Sequence, residues 1–328
     1  MELRTTFNID QSPDKIDYNS PVMFIGSCFA SSIGSMLRVG KMPVMINPAG
    51  TVYNPVSVNN TLDTIISERE FTLDDLFFHD GGFLSFSHYT DFSSDNPNEV
   101  LKKINKKSKE AFDFLKKSKF LFITFGTARV FRWKETGQIV SNCHKIPSNR
   151  FERELLTVDE IVSLWSDQLG KLQLLVPQLK IIFTISPVRH WKDGAHGNQI
   201  SKSILFLAVE ELLKHSAAPQ YFPAYELMMD DLRDYRFYND DMLHPSSAAI
   251  NYIWKSFCTS FLENKTVNIW NEAAKITKAC SHHLSSESQL KIEKFAERML
   301  SQITVIEKNN ITIDLSAERN YFLNLQKK

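Results

Sequence analysis

Short, almost wholly apolar runs alternate along this chain with longer stretches in which apolar residues recur every three or four positions. Val22 to Ile25, Val44 to Ile46, Phe120 to Phe125, Lys180 to Ser186 and the brief Gln220-Tyr221-Phe222 are of the first kind. Runs of that length and character suit strands covered on both faces of a parallel sheet. The intervening stretches read as helices. Ala30, Ile33 and Leu37 share one face before Gly40 closes the first, and Pro55 suits the opening position of the second. A lysine-rich helix is expected from about Pro97 to Lys117, its basic residues forming a solvated face. Thr157-Val158-Asp159-Glu160 has capping-box spacing and opens a helix to about Leu175. Another is expected from about Gln199 to His215, and a last one from Pro245, with Ile250, Ile253 or Trp254, Phe257 and Phe261 toward the core.

Strand, helix and strand in succession demand a right-handed crossover and a parallel sheet, so the expected class is α/β with about five parallel strands. Three regions break the alternation. Residues 67–98 read as an irregular excursion with one strand at Phe83 to Phe86; Val130 to Trp133 and Gln138 to Asn142 read as a hairpin turning at Glu135-Thr136-Gly137; a polar, aromatic-rich loop precedes His244. From about Asn264 the sequence is polar and helix-favouring, with sparse apolar positions such as Leu290, Ile292, Phe295, Met299 and Ile303. The expected division is therefore an α/β domain over residues 1–262 and a helical extension over 263–328. That extension would pack on the domain or on a second subunit, the second case giving a homo-oligomer through the C-terminal helices.

Composition narrows the class of partner. Hydrophobic residues make up 43% of 328, enough for a packed core, and 38 basic residues balance 38 acidic ones. No general field draws nucleic acid or an anionic membrane to such a chain, and a small or neutral substrate fits better. No apolar segment follows the N-terminus and no run reaches membrane-spanning length, so a cytoplasmic location is expected. Cys28, Cys143, Cys258 and Cys280 are scattered with no CxxC spacing. His79 and His88 lack a third ligand at recognisable spacing, so no metal and no cofactor are expected. His282-His283 are expected at the surface.

Candidate chemistry starts at Phe24-Ile25-Gly26-Ser27-Cys28-Phe29-Ala30, a strand, a sharp turn and a helix. The turn lifts the Ser27 hydroxyl to the sheet edge, beside the unpaired N–H groups and positive dipole end of the helix. A serine there also serves as an N-cap, and Cys28 is the adjacent rival nucleophile, expected to pack instead. Downstream, Asp240-Asp241-Met242-Leu243-His244 supplies a histidine to take the serine's proton and a carboxylate three residues earlier to orient it. Ser27, Asp241 and His244 are read as one site. Asn47 to Pro55 emerges at the same sheet edge, where Gly50 offers a backbone N–H and Asn54 a side-chain donor to a reacting carbonyl; both residues equally shape a turn. Gly126-Thr127-Ala128 is a further place of close approach. Arg129, Arg189 and His190 stand at or beyond strand ends as candidates for a substrate carboxylate or phosphate. Cys143 and His144 are neighbours on the chain and are not read as a catalytic pair.

Gly26-Ser27-Cys28-Phe29-Ala30 matches the signature of the GSCFA family, a branch of the SGNH/GDSL hydrolase-like superfamily. The resemblance continues through Asn47 to Pro55, Gly126-Thr127-Ala128, Asn142-Cys143-His144-Lys145-Ile146-Pro147, Ser186 to His190 and Tyr221 to Pro245, covering roughly Leu3 to Leu262. It implies a flavodoxin-like α/β/α sandwich of strand order 2-1-3-4-5, a nucleophilic serine after the first strand, and a DxxH pair before the last core helix. Asp241 and His244 stand at that spacing. The usual Gly-x-Asn-Asp block is absent and Gly126-Thr127-Ala128 stands in its place, so Thr127, Asn142 or Asn54 would replace the missing side-chain donor beside the Gly50 and Ser27 N–H groups. The expected activity is serine esterase cleavage of an ester-linked acyl group, with a small-molecule or glycan ester as substrate. A non-catalytic module that binds a carbohydrate or acylated ligand, and an O-acyltransferase, are the alternatives.

Overall fold

The computed structural model describes residues 5–281, 289–309 and 312–326; the predicted surface histidines His282 and His283 lie outside them. In chain order the strands are β1 (Val22–Gly26), β2 (Val44–Ile46), β3 (Phe77–His79), β4 (Gly82–Leu84), β5 (Phe120–Phe125), β6 (Arg129–Trp133), β7 (Ile139–Val140), β8 (Phe151–Leu155), β9 (Lys180–Ile185) and β10 (Gln220–Tyr221). The helices are α1 (Cys28–Val39), α2 (Pro55–Ile66), α3 (Pro97–Lys117), α4 (Val158–Leu175), α5 (Gly194–Leu212), α6 (Ala224–Glu226), α7 (Ser247–Phe261), α8 (Asn264–Ala279), α9 (Gln289–Asn309) and α10 (Ser316–Leu325).

Five strands form one parallel sheet in the order β10-β9-β5-β1-β2. Numbered by their order within the sheet, that is 2-1-3-4-5. Side chains alternate between its faces. Val22 and Phe24 of β1, Phe120 and Phe122 of β5 and Ile182 of β9 join the apolar cluster beneath α1 and α7. Met23, Ile25, Leu121, Ile123, Phe125, Ile181, Phe183 and Ile185 join the one beneath α2, α4 and α5. The product is a three-layer α/β/α sandwich with one core on each side of the sheet.

Several local expectations need correcting. The hairpin of β6 and β7 gains a third strand, β8, antiparallel to β6; its sequence Phe-Glu-Arg-Glu-Leu is too polar to register as an apolar run. The Phe83 to Phe86 strand is the shorter β4, paired antiparallel with β3. Helix α5 begins five residues earlier than read, and α7 begins later. Pro245 pairs with Tyr238 in an isolated bridge outside that helix, and Ser246 is the cap, accepting from Ala249 N–H at 3.3 Å. Nor is the segment after β10 a plain loop, since α6 and a wide helical turn at Leu227–Asp231 bury Leu227, Met228 and Leu232.

The C-terminal helices pack on their own domain. Trp270, Ala274, Ile276, Ala296, Met299, Ile303 and Phe322 belong to the same cluster as Val22 and Phe24. Trp270 Nε1 donates to Met36 O at 2.8 Å, and Lys41 pairs with Glu318 at 2.6 Å. Among the described residues no helix is long and apolar enough to cross a membrane.

Candidate functional site

The turn carrying Ser27 is built around Gly26. Its φ of +142° is one that L side chains rarely adopt, and a Cβ there would lie 2.2 Å from Thr124 O. Gly26 N–H donates to Asn47 Oδ1 at 2.8 Å, and Asn47 Nδ2 donates to Ser31 Oγ at 2.8 Å. The end of β1, the loop after β2 and the first turns of α1 are thereby tied together. Ser27 is the N-cap of α1: its Oγ accepts from Phe29 N–H at 3.3 Å and its own N–H donates to Thr124 O at 3.3 Å. It is 1% exposed. Cys28 follows half-buried, its thiol pKa pushed up by burial first and by the Asp241 charge among smaller causes, so it is a poor thiolate.

Asp241 and His244 occupy a tight loop before α7. Asn239 N–H donates to His244 O at 2.8 Å, Met242 N–H to Asn239 O at 2.8 Å, and Met242 has φ +58°. Asp241 Oδ1 accepts the backbone N–H groups of Leu243 and His244, each at 2.9 Å, while Oδ2 lies 2.5 Å from His244 Nδ1. The backbone N–H groups of His244 and Leu243, and then the imidazole, hold the Asp241 pKa down to about 2. An ionised carboxylate only accepts, so Nδ1 carries the proton and Nε2 is left with its lone pair free. The pair is half-exposed, and the Asp241 charge is felt at Cys28 in the first turn of α1. No hydrogen bond joins Ser27 Oγ to His244 Nε2; the serine hydroxyl is engaged at the helix cap instead.

The remaining candidates divide by what already occupies them. Gly50 N–H donates to Asn47 O at 2.8 Å, so the turn uses the amide that sequence offered to an oxyanion. Gly126 and Thr127 N–H groups both donate to Tyr53 O, at 2.7 and 3.0 Å. The Thr127 hydroxyl bonds Ser201 Oγ at 3.0 Å and accepts from Arg129 N–H at 3.1 Å. Asn142 Oδ1 accepts from His144 N–H at 2.9 Å and shapes its own turn. The Gly50 amide, the Thr127 amide and hydroxyl and the Asn142 carbonyl oxygen are thus already engaged in local hydrogen bonds. Asn54 caps α2, its Oδ1 accepting from Ser57 N–H at 2.8 Å. Its Nδ2 has no partner among the described residues, one position after the Tyr53 carbonyl that holds Gly126.

His190 Nδ1 lies 3.0 Å from Asp193, which also pairs with Arg129 at 3.3 Å and with Arg153. Two of the three basic candidates are thus held by one buried carboxylate. Arg189 is not: its guanidinium lies over Trp191 at 5.0 Å, and its buried Nε has no hydrogen-bond partner. Arg189 and Asp241 line a common cavity of about 510 Å³. A larger one, about 980 Å³, opens at the β10 edge and includes none of the candidate residues.

Sequence reasoning missed Lys202. It is fully buried in α5 and donates to Gly126 O at 2.7 Å and to Ser186 O at 2.6 Å, joining the ends of β5 and β9. The signal was present, because Asn198, Ser201 and Lys202 share the buried face of α5 with Leu205, Ala208, Val209 and Leu212. Polar residues on an apolar helix face require buried partners. His88 and His144 are also structural, bonded to Ser85 Oγ at 3.0 Å and Ser85 O at 2.8 Å. Among the described residues no three His, Cys, Asp or Glu side chains are placed to hold a metal ion.

Among solved structures, a carbohydrate esterase family 3 protein from Talaromyces cellulolyticus is similar over 77% of this chain and 99% of that one, at 8% identity and a TM-score of 0.35. No curated protein sequence matches the chain. Residues 21–257, which run from the residue before β1 into α7 and enclose Gly26, Ser27, Asp241 and His244, match the sequence model of the GSCFA family, and the chain belongs to that family.

Proposed function

We propose that this chain is a serine hydrolase of the SGNH type that cleaves an ester-linked acyl group. The observation that carries the proposal is the Asp241–His244 pair, formed at 2.5 Å with no partner at Nε2 among the described residues, together with Ser27 at the N-cap of α1 on a strand-to-helix turn. In the reaction Ser27 Oγ leaves its capping bond and attacks the ester carbonyl while its proton passes to His244 Nε2. Asp241 stabilises the imidazolium by charge and by the Nδ1 hydrogen bond. The oxyanion is held by Ser27 N–H, whose bond to Thr124 O is long at 3.3 Å, and by Asn54 Nδ2. The imidazolium then protonates the departing alcohol, and water activated by the same His244 resolves the acyl-enzyme. Catalytic hydrogen bonds of this kind often tighten only when substrate is bound, and this mechanism requires Ser27 Oγ and His244 Nε2 to meet in that state.

The absence of a Ser27–His244 hydrogen bond also favours one second reading, a non-catalytic module that holds an acylated or carbohydrate ligand. A fluorophosphonate probe separates the two. Stoichiometric labelling of Ser27, lost in Ser27→Ala and in His244→Ala, supports the hydrolase, together with a fall of about 10⁴ to 10⁶ in kcat on p-nitrophenyl esters. Labelling that persists in Ser27→Ala removes it. Release of acyl groups to an added alcohol in preference to water would make the enzyme an O-acyltransferase.

A further inference from the structure

The cavity that contains Asp241 is lined by Arg189, Trp191, Met229, Arg233, Tyr235 and Tyr238 among others. Its charges are nearly all accounted for. Arg233 pairs with Asp230 at 3.1 Å, Asp234 with Arg236 at 2.8 Å, and Asp241 with His244 at 2.5 Å. Just behind it, Arg129, Arg153 and His190 share Asp193. Arg189 is the exception: among the described residues it has neither a hydrogen-bond acceptor nor a carboxylate partner, although its Nε is buried. A buried charged donor left without an acceptor is costly, and the guanidinium is a fork suited to a planar carboxylate or a phosphate.

The surroundings position this cation rather than neutralise it. The guanidinium lies over the Trp191 ring at 5.0 Å, a cation–π contact that holds it at the cavity. Its charge acts on Lys202, Tyr225 and Tyr238, and it lines the cavity together with Tyr238. Trp191 and Tyr235 are exposed and give the cavity flat apolar faces, the usual lining of a small-molecule site with a few fixed polar groups. The nearby Asp241 charge does not exclude an anion, because its imidazole and two backbone N–H groups already occupy it.

We infer that Arg189 is the anion-recognising residue of this site, and that the substrate is a ring-bearing ester carrying a carboxylate or phosphate. This rests on the hydrolase proposal for the location of the chemistry, but it concerns binding alone. The structure thereby separates Arg189 from Arg129, which sequence had grouped together: Arg129 opens β6 and pairs with Asp193, whereas Arg189 has no counter-ion among the described residues.

The test uses the full chain as Ser27→Ala, so that binding is read without turnover, and three probes in calorimetry or NMR titration. These are methyl β-D-glucoside, the corresponding glucuronoside, and the 6-phosphate. One anionic probe should bind at least about tenfold more tightly than the neutral one, and which of the two does so identifies the carboxylate or the phosphate. Arg189→Met should abolish the preference and Arg189→Lys should keep part of it, since the charge remains while the bidentate fork is lost. Circular dichroism establishes that both variants fold. Equal affinity for all three probes, no binding of any, or a preference that survives in folded Arg189→Met overturns the inference. Because no catalysis is involved, that failure is distinct from a failure of Ser27 to label.

Discussion

Lys202 shows what one side chain can do at the junction of two strands. Its ammonium bridges the carbonyls of Gly126 and Ser186, at 2.7 and 2.6 Å, just past the ends of β5 and β9. Burial pulls its pKa from 10.5 down to about 7, opposed by the nearby Cys28 thiol and reinforced by the Arg189 charge. Between about pH 7 and pH 10.4 the unfolded chain therefore holds a proton that the folded chain has released, so this group makes stability rise with pH over that window. Below about pH 7 both states are protonated and its contribution stops changing. Urea unfolding across the window should show the rise in the wild type and a flatter profile in Lys202→Met, which also orphans two carbonyls and should be less stable by about 1–3 kcal/mol. Asn54 allows a cleaner separation of roles. Asn54→Asp keeps the oxygen that caps α2 but removes the Nδ2 donor, so kcat on an ester should fall by about 10² to 10³ with little change in melting temperature. A variant with unchanged kcat would take Asn54 out of the oxyanion site.

At the scale of elements, the strand-to-helix turn at Gly26 and the loop before α7 are fixed by different means. Gly26 is confined by its φ of +142° and by the 2.2 Å approach that a Cβ would make to Thr124 O. Gly26→Ala should cost at least about 2 kcal/mol, through strain and displacement of the neighbouring strand. It should also reduce labelling of Ser27 in the protein that still folds, because the turn aims the serine. Chemical denaturation and probe stoichiometry measure the two effects separately. The loop holding Asp241 is instead braced by hydrogen bonds to its own backbone, from Leu243, His244 and Asn239. Spacing in the sequence revealed the Asp241–His244 partnership because three residues in a tight turn bring a carboxylate onto the backbone N–H groups that follow it. Elements with a strong local signal were equally legible: Pro97 to Lys117 and Phe120 to Phe125 match α3 and β5, and the Thr157 capping box opens α4. Where the signal is cross-strand pairing, as in β8, or a helix start without a side-chain cap, as in α5, the residues alone did not disclose it.

For the whole molecule, the alternation of apolar runs and amphipathic helices determined the α/β class, the parallel sheet and its right-handed connections, because strands buried on both faces admit few other arrangements. The strand order came from family resemblance, and the sheet carries it. Sequence also singled out Ser27, Asp241 and His244 as the candidates for chemistry, since serine, histidine and carboxylate are recognisable wherever they stand. Only the tertiary structure decided how their polar atoms are occupied. It engaged the Gly50 amide within its turn, gave Thr127 to Ser201 and Arg129 to Asp193, left Arg189 without a counter-ion among the described residues, and buried Lys202 between two strand ends. It likewise laid the C-terminal helices on α1, where Trp270 bonds Met36 O across 234 positions of chain. Hydrogen bonding and charge pairing depend on which atoms meet across such separations, and a local pattern of apolar and polar residues fixes the elements without fixing those meetings.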